Sequence, residues 1–429
     1  MPRNTRPALI KGFFIDWLIH NYTIFKSSMD KSLDFNLLLR SELQDFIKQH
    51  ESDDESALVL RHKDIYGLPA ADIAQQIAGR KKAKNKLPLF YNTPDIVYPP
   101  SLNLEQCSSE STARFKARLF SGHRALDLTG GTGVDSFFLS RSFEEVIYVE
   151  KNEALLQLTV HNHSVLGAKN ITHHCQDAAS FIASSSKKLD LIYIDPSRRS
   201  ASNKKVFRFA ECSPDVVSLL PTLLTISGTI LIKASPLIDI KQGIKELGHV
   251  SRVYVVGYNN ECKEILFLVN SNVGYPALIE AIDLSPDDAV DRSISFKHNE
   301  EAQAEVTYAE PETYLYEPNA MILKAGAFKL VATKYGLKKI APNTHLYTSS
   351  EVVNSFPGKI YKVENYLKSN PKSVAALLPS GKANIITRNY PLTPAQVKSK
   401  LKLKDGGESF VIGFSGTKKK YLALAKRIR

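Results

Sequence analysis

The chain has 429 residues, 43% of them hydrophobic and 23% charged, with a formal net charge of +12. That length exceeds what one hydrophobic core serves, so roughly two to four domains are expected, and the positive surplus favours a polyanionic partner. Four scattered cysteines with no CxxC pair or His cluster argue against a disulfide framework or a zinc module and fit a reducing cytoplasm.

The first apolar stretch, Ala8 to Phe25, is interrupted by Lys11, Asp16 and His20 and is followed by no small-residue cleavage site. It is read as neither a signal peptide nor a membrane span, since no apolar run reaches roughly 18 residues. Residues 1–28 are expected to be a poorly ordered extension or an upstream start. From Leu33 to Lys84 apolar residues recur at helical spacing, with Leu37, Leu38, Leu43, Phe46 and Ile47 leading to Ile73 and Ile77, and Ser52-Asp53-Asp54 breaks the run. This predicts a helical domain, completed by a proline-marked linker, over 1–100. Arg80 to Lys86 holds five positive charges in seven residues, either a solvated helix end or a phosphate-contacting patch. Leu104 to Phe120 reads as one helix with Ser108 or Ser109 at its cap.

Residues 124–270 alternate apolar strands with helical stretches, the signature of parallel βαβ units. Candidate strands are 124–128, 146–150, 171–175, 189–195, 228–234, 252–258 and 264–269. The last two are separated by too few residues for a crossover helix, so they must be antiparallel. Three of these strands end in an acid. Asp127 leads the loop Asp127-Leu128-Thr129-Gly130-Gly131-Thr132-Gly133. It lacks the third glycine of a dinucleotide fingerprint and the Gly-Lys-Ser/Thr of a phosphate loop. An acid leading such a loop suits a zwitterionic amino-acid cofactor. Glu150, 17 positions beyond Gly133, is placed to bind ribose hydroxyls. Asp177 is placed near an adenine amino group, and Asp195-Pro196-Ser197-Arg198 closes the fourth candidate strand.

These motifs resemble the class I S-adenosylmethionine-dependent methyltransferases from about Glu105 to Asn270. LEQCSSE, DLTGGTGVD, IDPSRR, LYEPNAMILKAG and the closing RNYP and KLKDGG narrow the resemblance to a multidomain bacterial family with a THUMP-like C-terminal domain. The resemblance implies a seven-stranded doubly wound α/β sheet with an antiparallel last strand at 101–275. A ferredoxin-like α+β domain at 276–355 and a THUMP-like domain at 356–429 are implied to follow. It further implies S-adenosylmethionine as cofactor, held by Asp127, Thr129, Gly130, Gly131, Thr132, Gly133, Asp135, Glu150, Lys151, Asp177 and Ala178. RNA is the implied substrate and no metal is expected.

Asp195, Pro196 and Arg198 are the expected catalytic residues. Amino-methyltransferases of this type carry a proline and an aromatic where Ser197 and Arg198 stand. Arg198 or the downstream Phe207 and Phe209 are candidates to stack on a base. Carbon-5 uridine methylation needs a cysteine where Ser235 stands, so methylation of an exocyclic base amine is the preferred reading. A DNA adenine methyltransferase and a non-catalytic RNA-binding protein that keeps the cofactor pocket are the alternatives. The tail from Lys398 to Arg429 carries ten Lys/Arg against Asp405 and Glu408, a second candidate phosphate contact. The spacing of Lys398, Lys400, Lys402 and Lys404 allows one face of a strand or a spread around a helix.

Overall fold

The computed structural model describes residues 35–184, 188–198, 208–271, 276–286, 289–368 and 370–428; the extension expected at 1–28 lies outside them. The chain forms two compact units, 1–185 and 186–429.

The first unit begins with helices Ser41–Gln49, Glu55–Arg61 and Ala70–Lys86. Their apolar faces bring Leu43, Ile47, Leu58, Ile73 and Ile77 into one core. The break read at Ser52 to Asp54 is a helix start: the Asp54 carboxylate accepts from the backbone N–H groups of Ser56 and Ala57. The expected single helix over 104–120 is two, Ser101–Gln106 and Glu110–Leu119. Ser109 caps the second by accepting from Thr112 N–H, which ends the first. Strands Gly122–Asp127, Phe143–Glu150 and Ile171–Cys175 then pair in parallel with the second in the middle. Helices Val134–Leu139 and Glu153–Val165 supply the crossovers.

In the second unit Leu191–Ile194 and Thr229–Ala234 pair in parallel. Glu261–Asn270 lies antiparallel to Thr229–Ala234 on one side and to Val250–Tyr258 on the other. The antiparallel final pair demanded by the short Asn259–Asn260 connection is therefore present. Two more strands lengthen this sheet: Leu278–Leu284 runs parallel to Val250–Tyr258, and Val290–Lys297 runs antiparallel beyond it. Sequence reading had assigned these residues to the next domain. Strand alternation records that a strand exists, not which sheet takes it up.

A second sheet follows, in the order Lys338–Ala341, Thr344–Ser349, Tyr314–Pro318, Gly358–Tyr366, Lys420–Arg427, Ser409–Ser415, Asn384–Arg388. The stretch 316–340, read as mainly helix, is a strand, two short helices Ala320–Ala325 and Leu330–Tyr335, and a strand. Gly326 (φ 80°) and Gly336 (φ 63°) end the helices in left-handed caps. The protein is thus a mixed α/β fold with a large, mainly parallel sheet, a helical N-terminal region and small α+β modules at its C-terminal end. Among the described residues no helix is long and apolar enough to cross a membrane, and no group of His, Cys, Asp or Glu is arranged to hold a metal.

Candidate active site

The glycine loop of the first unit is held from below by buried polar groups. Asp127 is 1% exposed. One of its oxygens accepts from Ser136 Oγ at 2.5 Å and the other from Thr129 N–H at 3.2 Å. An acid expected to face an ammonium group is instead turned inward, where it sets the loop's conformation. Gly130 packs directly on Tyr148: a Cβ there would fall 2.1 Å from the ring. The Tyr148 hydroxyl and Thr159 Oγ1 both donate to Gly131 O, at 2.6 and 3.2 Å.

His163 lies 2.9 Å from Gly133 O through Nε2 and 2.9 Å from His173 Nε2 through Nδ1. A carbonyl only accepts, so Nε2 carries the proton and Nδ1 accepts from His173. Burial pushes His163 down to about 4, lowers His173 and raises the Tyr148 phenol well above its usual value. The support beneath the loop is therefore neutral at physiological pH. Tyr148, Thr159, Ser136 and His163 escaped the sequence reading, because nothing in a strand or helix pattern shows which side chains reach a turn.

The upper side of the loop is different. Gly131 has φ 56°, and a Cβ there would meet nothing closer than Thr129 O at 3.7 Å. Thr129, Gly130, Gly131 and Thr132 are half-buried. Glu150 reaches the same loop: its oxygens accept from Gly131 N–H at 3.0 Å and Asn152 N–H at 2.8 Å. Lys151 beside it is exposed. Asp135 points away from this group, into a cluster with Ser108 (2.7 Å) and the buried Lys116 (3.1 Å). The loop thus turns a close-approach backbone and a carboxylate toward one side, a donor set that fits a nucleoside-bearing amino-acid cofactor. Asp177 is fully exposed and caps helix Ala178–Ser184, accepting from the Ser180 hydroxyl and the N–H groups of Ala179 and Ser180. Those bonds, the Ser180 hydroxyl first, lower its carboxyl below the usual range.

In the second unit, Asp195 follows strand Leu191–Ile194, and its Oδ2 lies 2.5 Å from the Lys233 ammonium. The side chains are 34% and 11% exposed, respectively. Pro196 is buried. Ser197 and Arg198 form a short antiparallel ladder with Ser213 and Cys212, and Ser197 Oγ donates to Ser213 O at 3.2 Å. The Arg198 side chain and Phe207 lie outside the described residues. Phe209 is wholly buried, edge-on to Phe267 at 5.3 Å, so it belongs to the core and is not the ring that stacks on a base. Cys212 is also buried, and burial pushes the Cys262 thiol up to about 11. Neither has the environment of a nucleophile. A lysine in the aliphatic run Ile230-Leu231-Ile232-Lys233 was a visible signal that the sequence reading passed over.

The two basic segments separate. In the first, Arg80 bonds Glu51 (2.9 Å), donates to Tyr91 O and stacks on the Tyr91 ring. Lys81 pairs with Glu55, Lys82 with Glu105, and Lys86 donates to Leu104 O and Glu105 O. The expected phosphate-contacting patch at Arg80 to Lys86 is therefore corrected. Its charges tie neighbouring helices to the long helix, and helical spacing alone did not reveal those partners. In the tail, Lys398 and Lys400 lie on helix Pro394–Leu401, with Lys398 paired to Asp405. Lys402 follows in a left-handed cap (φ 59°), and Lys404 is beyond it. The four share neither a strand face nor one helix. Lys418, Lys419 and Lys420 instead crowd the hairpin between Ser409–Ser415 and Lys420–Arg427.

The glycine loop after a first parallel strand and the inserted antiparallel strand define a methyltransferase-type α/β protein. The model of the family described as conserved hypothetical protein 95 matches residues 111–211. A ferredoxin-like domain model matches 314–357 and a THUMP domain-like model 358–427. A solved structure from Porphyromonas gingivalis W83, named as a "putative methyltransferase", is 31% identical. The match covers 90% of this chain and 98% of that one, with a TM-score of 0.79. The chain belongs to that protein's family. A Streptococcus mutans protein solved in complex with SAH is 16% identical, over 38% of this chain and 96% of its own, with a TM-score of 0.28. No curated protein matches the chain.

The two family motifs outside the methyltransferase segment meet within the second unit. Glu317 of LYEPN is buried and pairs with Arg388 of RNYP, with Lys359 at 3.6 Å and the Tyr361 hydroxyl at 3.1 Å. Arg388, a lone candidate for function in the sequence, is a tie between strands of the second sheet.

Proposed function

We propose that the protein transfers a methyl group from S-adenosylmethionine to a nitrogen of an RNA base. Asp195 carries this reading: a carboxylate at the end of a parallel strand, half-open to solvent and fixed by Lys233, accepts a hydrogen bond from the nitrogen to be methylated. The exocyclic amine preferred from the sequence is one such group. The cofactor, when bound, supplies an electrophilic methyl on sulfonium sulfur. Glu150 receives its ribose hydroxyls, Asp177 and Ala178 its adenine, and the Thr129 to Gly133 backbone its amino-acid end, with Lys151 at the rim. Asp127 shapes the loop from within, and Asp135 braces the helix that follows. Alignment of the acceptor supplies most of the rate.

The THUMP domain-like match at 358–427 and the lysine-rich hairpin at 418–420 support RNA as the partner, in the reducing cytoplasm that the cysteine pattern suggests. The test is transfer of labelled methyl groups to RNA by the purified protein and by Asp195→Asn. Transfer that Asp195→Asn abolishes, with cofactor binding retained, supports the proposal. Cofactor binding without transfer to any RNA pool sinks it. That result would favour the second reading, a non-catalytic RNA-binding protein, for which the Ser197–Ser213 ladder in place of a proline-aromatic pair is the supporting observation.

A further inference from the structure

Strands Leu191–Ile194 and Thr229–Ala234 lie side by side with Ile194 opposite Ile232. The next residue on each is therefore Asp195 or Lys233, and their charged ends meet at 2.5 Å. Lys233 occupies a strand position flanked by fully buried aliphatic side chains, and only 11% of its own side chain is exposed. Stability does not explain it. Desolvating the ammonium cancels most of the attraction, and an aliphatic residue of similar size would hold the strand as well. Its location does suggest a purpose, because open α/β sheets handle ligands at the carboxyl ends of their strands.

The sign of the charge decides what this pair does to a base. Methylating an exocyclic amine builds positive charge on the nitrogen, and an ammonium a few ångströms away opposes that charge. Methylating a lactam ring nitrogen is the reverse. The N1–H of guanine, or the N3–H of uracil, must lose its proton, and the negative charge spreads onto the neighbouring carbonyl oxygen. A carboxylate to take the proton and an ammonium to hold the oxygen match that need. We propose that Lys233 makes the Asp195 tip selective for a lactam N–H, so that the product is a ring-nitrogen-methylated guanosine or uridine. This rests on the reading that the chain methylates an RNA base at Asp195. In the step, the ring N–H proton passes to the Asp195 carboxylate and a bond forms between the ring nitrogen and the methyl carbon. The bond from that carbon to the donor sulfur breaks, leaving neutral S-adenosylhomocysteine.

The experiment is nucleoside mass spectrometry of total RNA, taken from cells lacking the protein and incubated with the full chain and S-adenosylmethionine. The wild type is expected to yield N1-methylguanosine or N3-methyluridine. Lys233→Met is expected to yield about 100-fold less, with cofactor affinity by calorimetry unchanged. A methyl group on an exocyclic amine overturns the lactam assignment and leaves the methyltransferase reading standing. No methylnucleoside from a wild type that binds the cofactor overturns both. Equal yield from Lys233→Met overturns the role of Lys233. Should Lys233→Met fail to fold, the identity of the wild-type product still decides.

Discussion

Asp127 and Asp195 occupy the same kind of place, each ending an apolar parallel strand, yet their surroundings give them opposite work. Asp127 is 1% exposed, and the partners resolved on its two oxygens are neutral donors, Ser136 Oγ and Thr129 N–H. The Asp195 side chain is 34% exposed and bound to a lysine ammonium. The first carboxylate builds a loop. The second is presented to a substrate together with a positive charge. An acid at a strand tip is therefore a position and not a role; the neighbour's charge and the burial assign the role.

Breaking the Asp195 half should have the largest effect. Asp195→Asn keeps shape and volume, and methyl transfer is expected to fall by about 10²–10⁴-fold, as for loss of a positioned proton acceptor, in a labelled-methyl assay. Cofactor affinity should stay within about threefold, since the cofactor residues proposed above do not include Asp195. A loss below about tenfold would put Asp195 on the same footing as Asp127.

The loop half is sensitive to acid through its support. His163 titrates near 4 in the folded protein against 6.5 unfolded, so the unfolded chain binds the proton first. Its contribution is complete above pH 6.5 and is lost as pH falls toward 4, a change on the order of 3 kcal/mol. His173, lowered by the same cause, adds to the loss in the same direction. Urea unfolding followed from pH 7 to pH 4 should show the decline. His163→Gln should flatten it, and an unchanged slope in that variant would remove the histidine from the account.

Asp127→Ala is expected to destabilise the first unit by roughly 1–3 kcal/mol, because it strands a buried hydroxyl and a backbone N–H. Chemical unfolding measures this. A stable Asp127→Ala that has merely lost cofactor affinity would mean that Asp127 contacts the ligand after all. The smallest effect is expected at the tail. Lys418→Ala with Lys420→Ala should weaken RNA binding uniformly across sequences and lower the salt-dependence slope by about 2, roughly one per phosphate contact. Lys82→Ala, whose charge is paired with Glu105, should leave that slope unchanged.

Much of the fold was legible in the sequence because its signals are local. Ile171–Cys175 and Thr344–Ser349 are found at the residues that alternation and turn chemistry indicate. The antiparallel relation of Val250–Tyr258 and Glu261–Asn270 follows from a connection too short for a crossover. The helices after Tyr316 were misjudged because Gly326 and Gly336 are each compatible with a helix interior in one dimension. Only their left-handed φ values mark them as caps. Glu317 and Arg388, 71 positions apart, gave no sign of pairing.

By itself, the sequence determined the strand tips, the glycine loop and the acids that end the strands, since each depends on residues within a few positions of one another. Tertiary structure alone decided which of those acids is buried and which is paired with a lysine, and whether a basic run is bound to its own chain or stands at a hairpin tip. Desolvation and charge pairing depend on what lies across space from a side chain, and neither can be read along the chain.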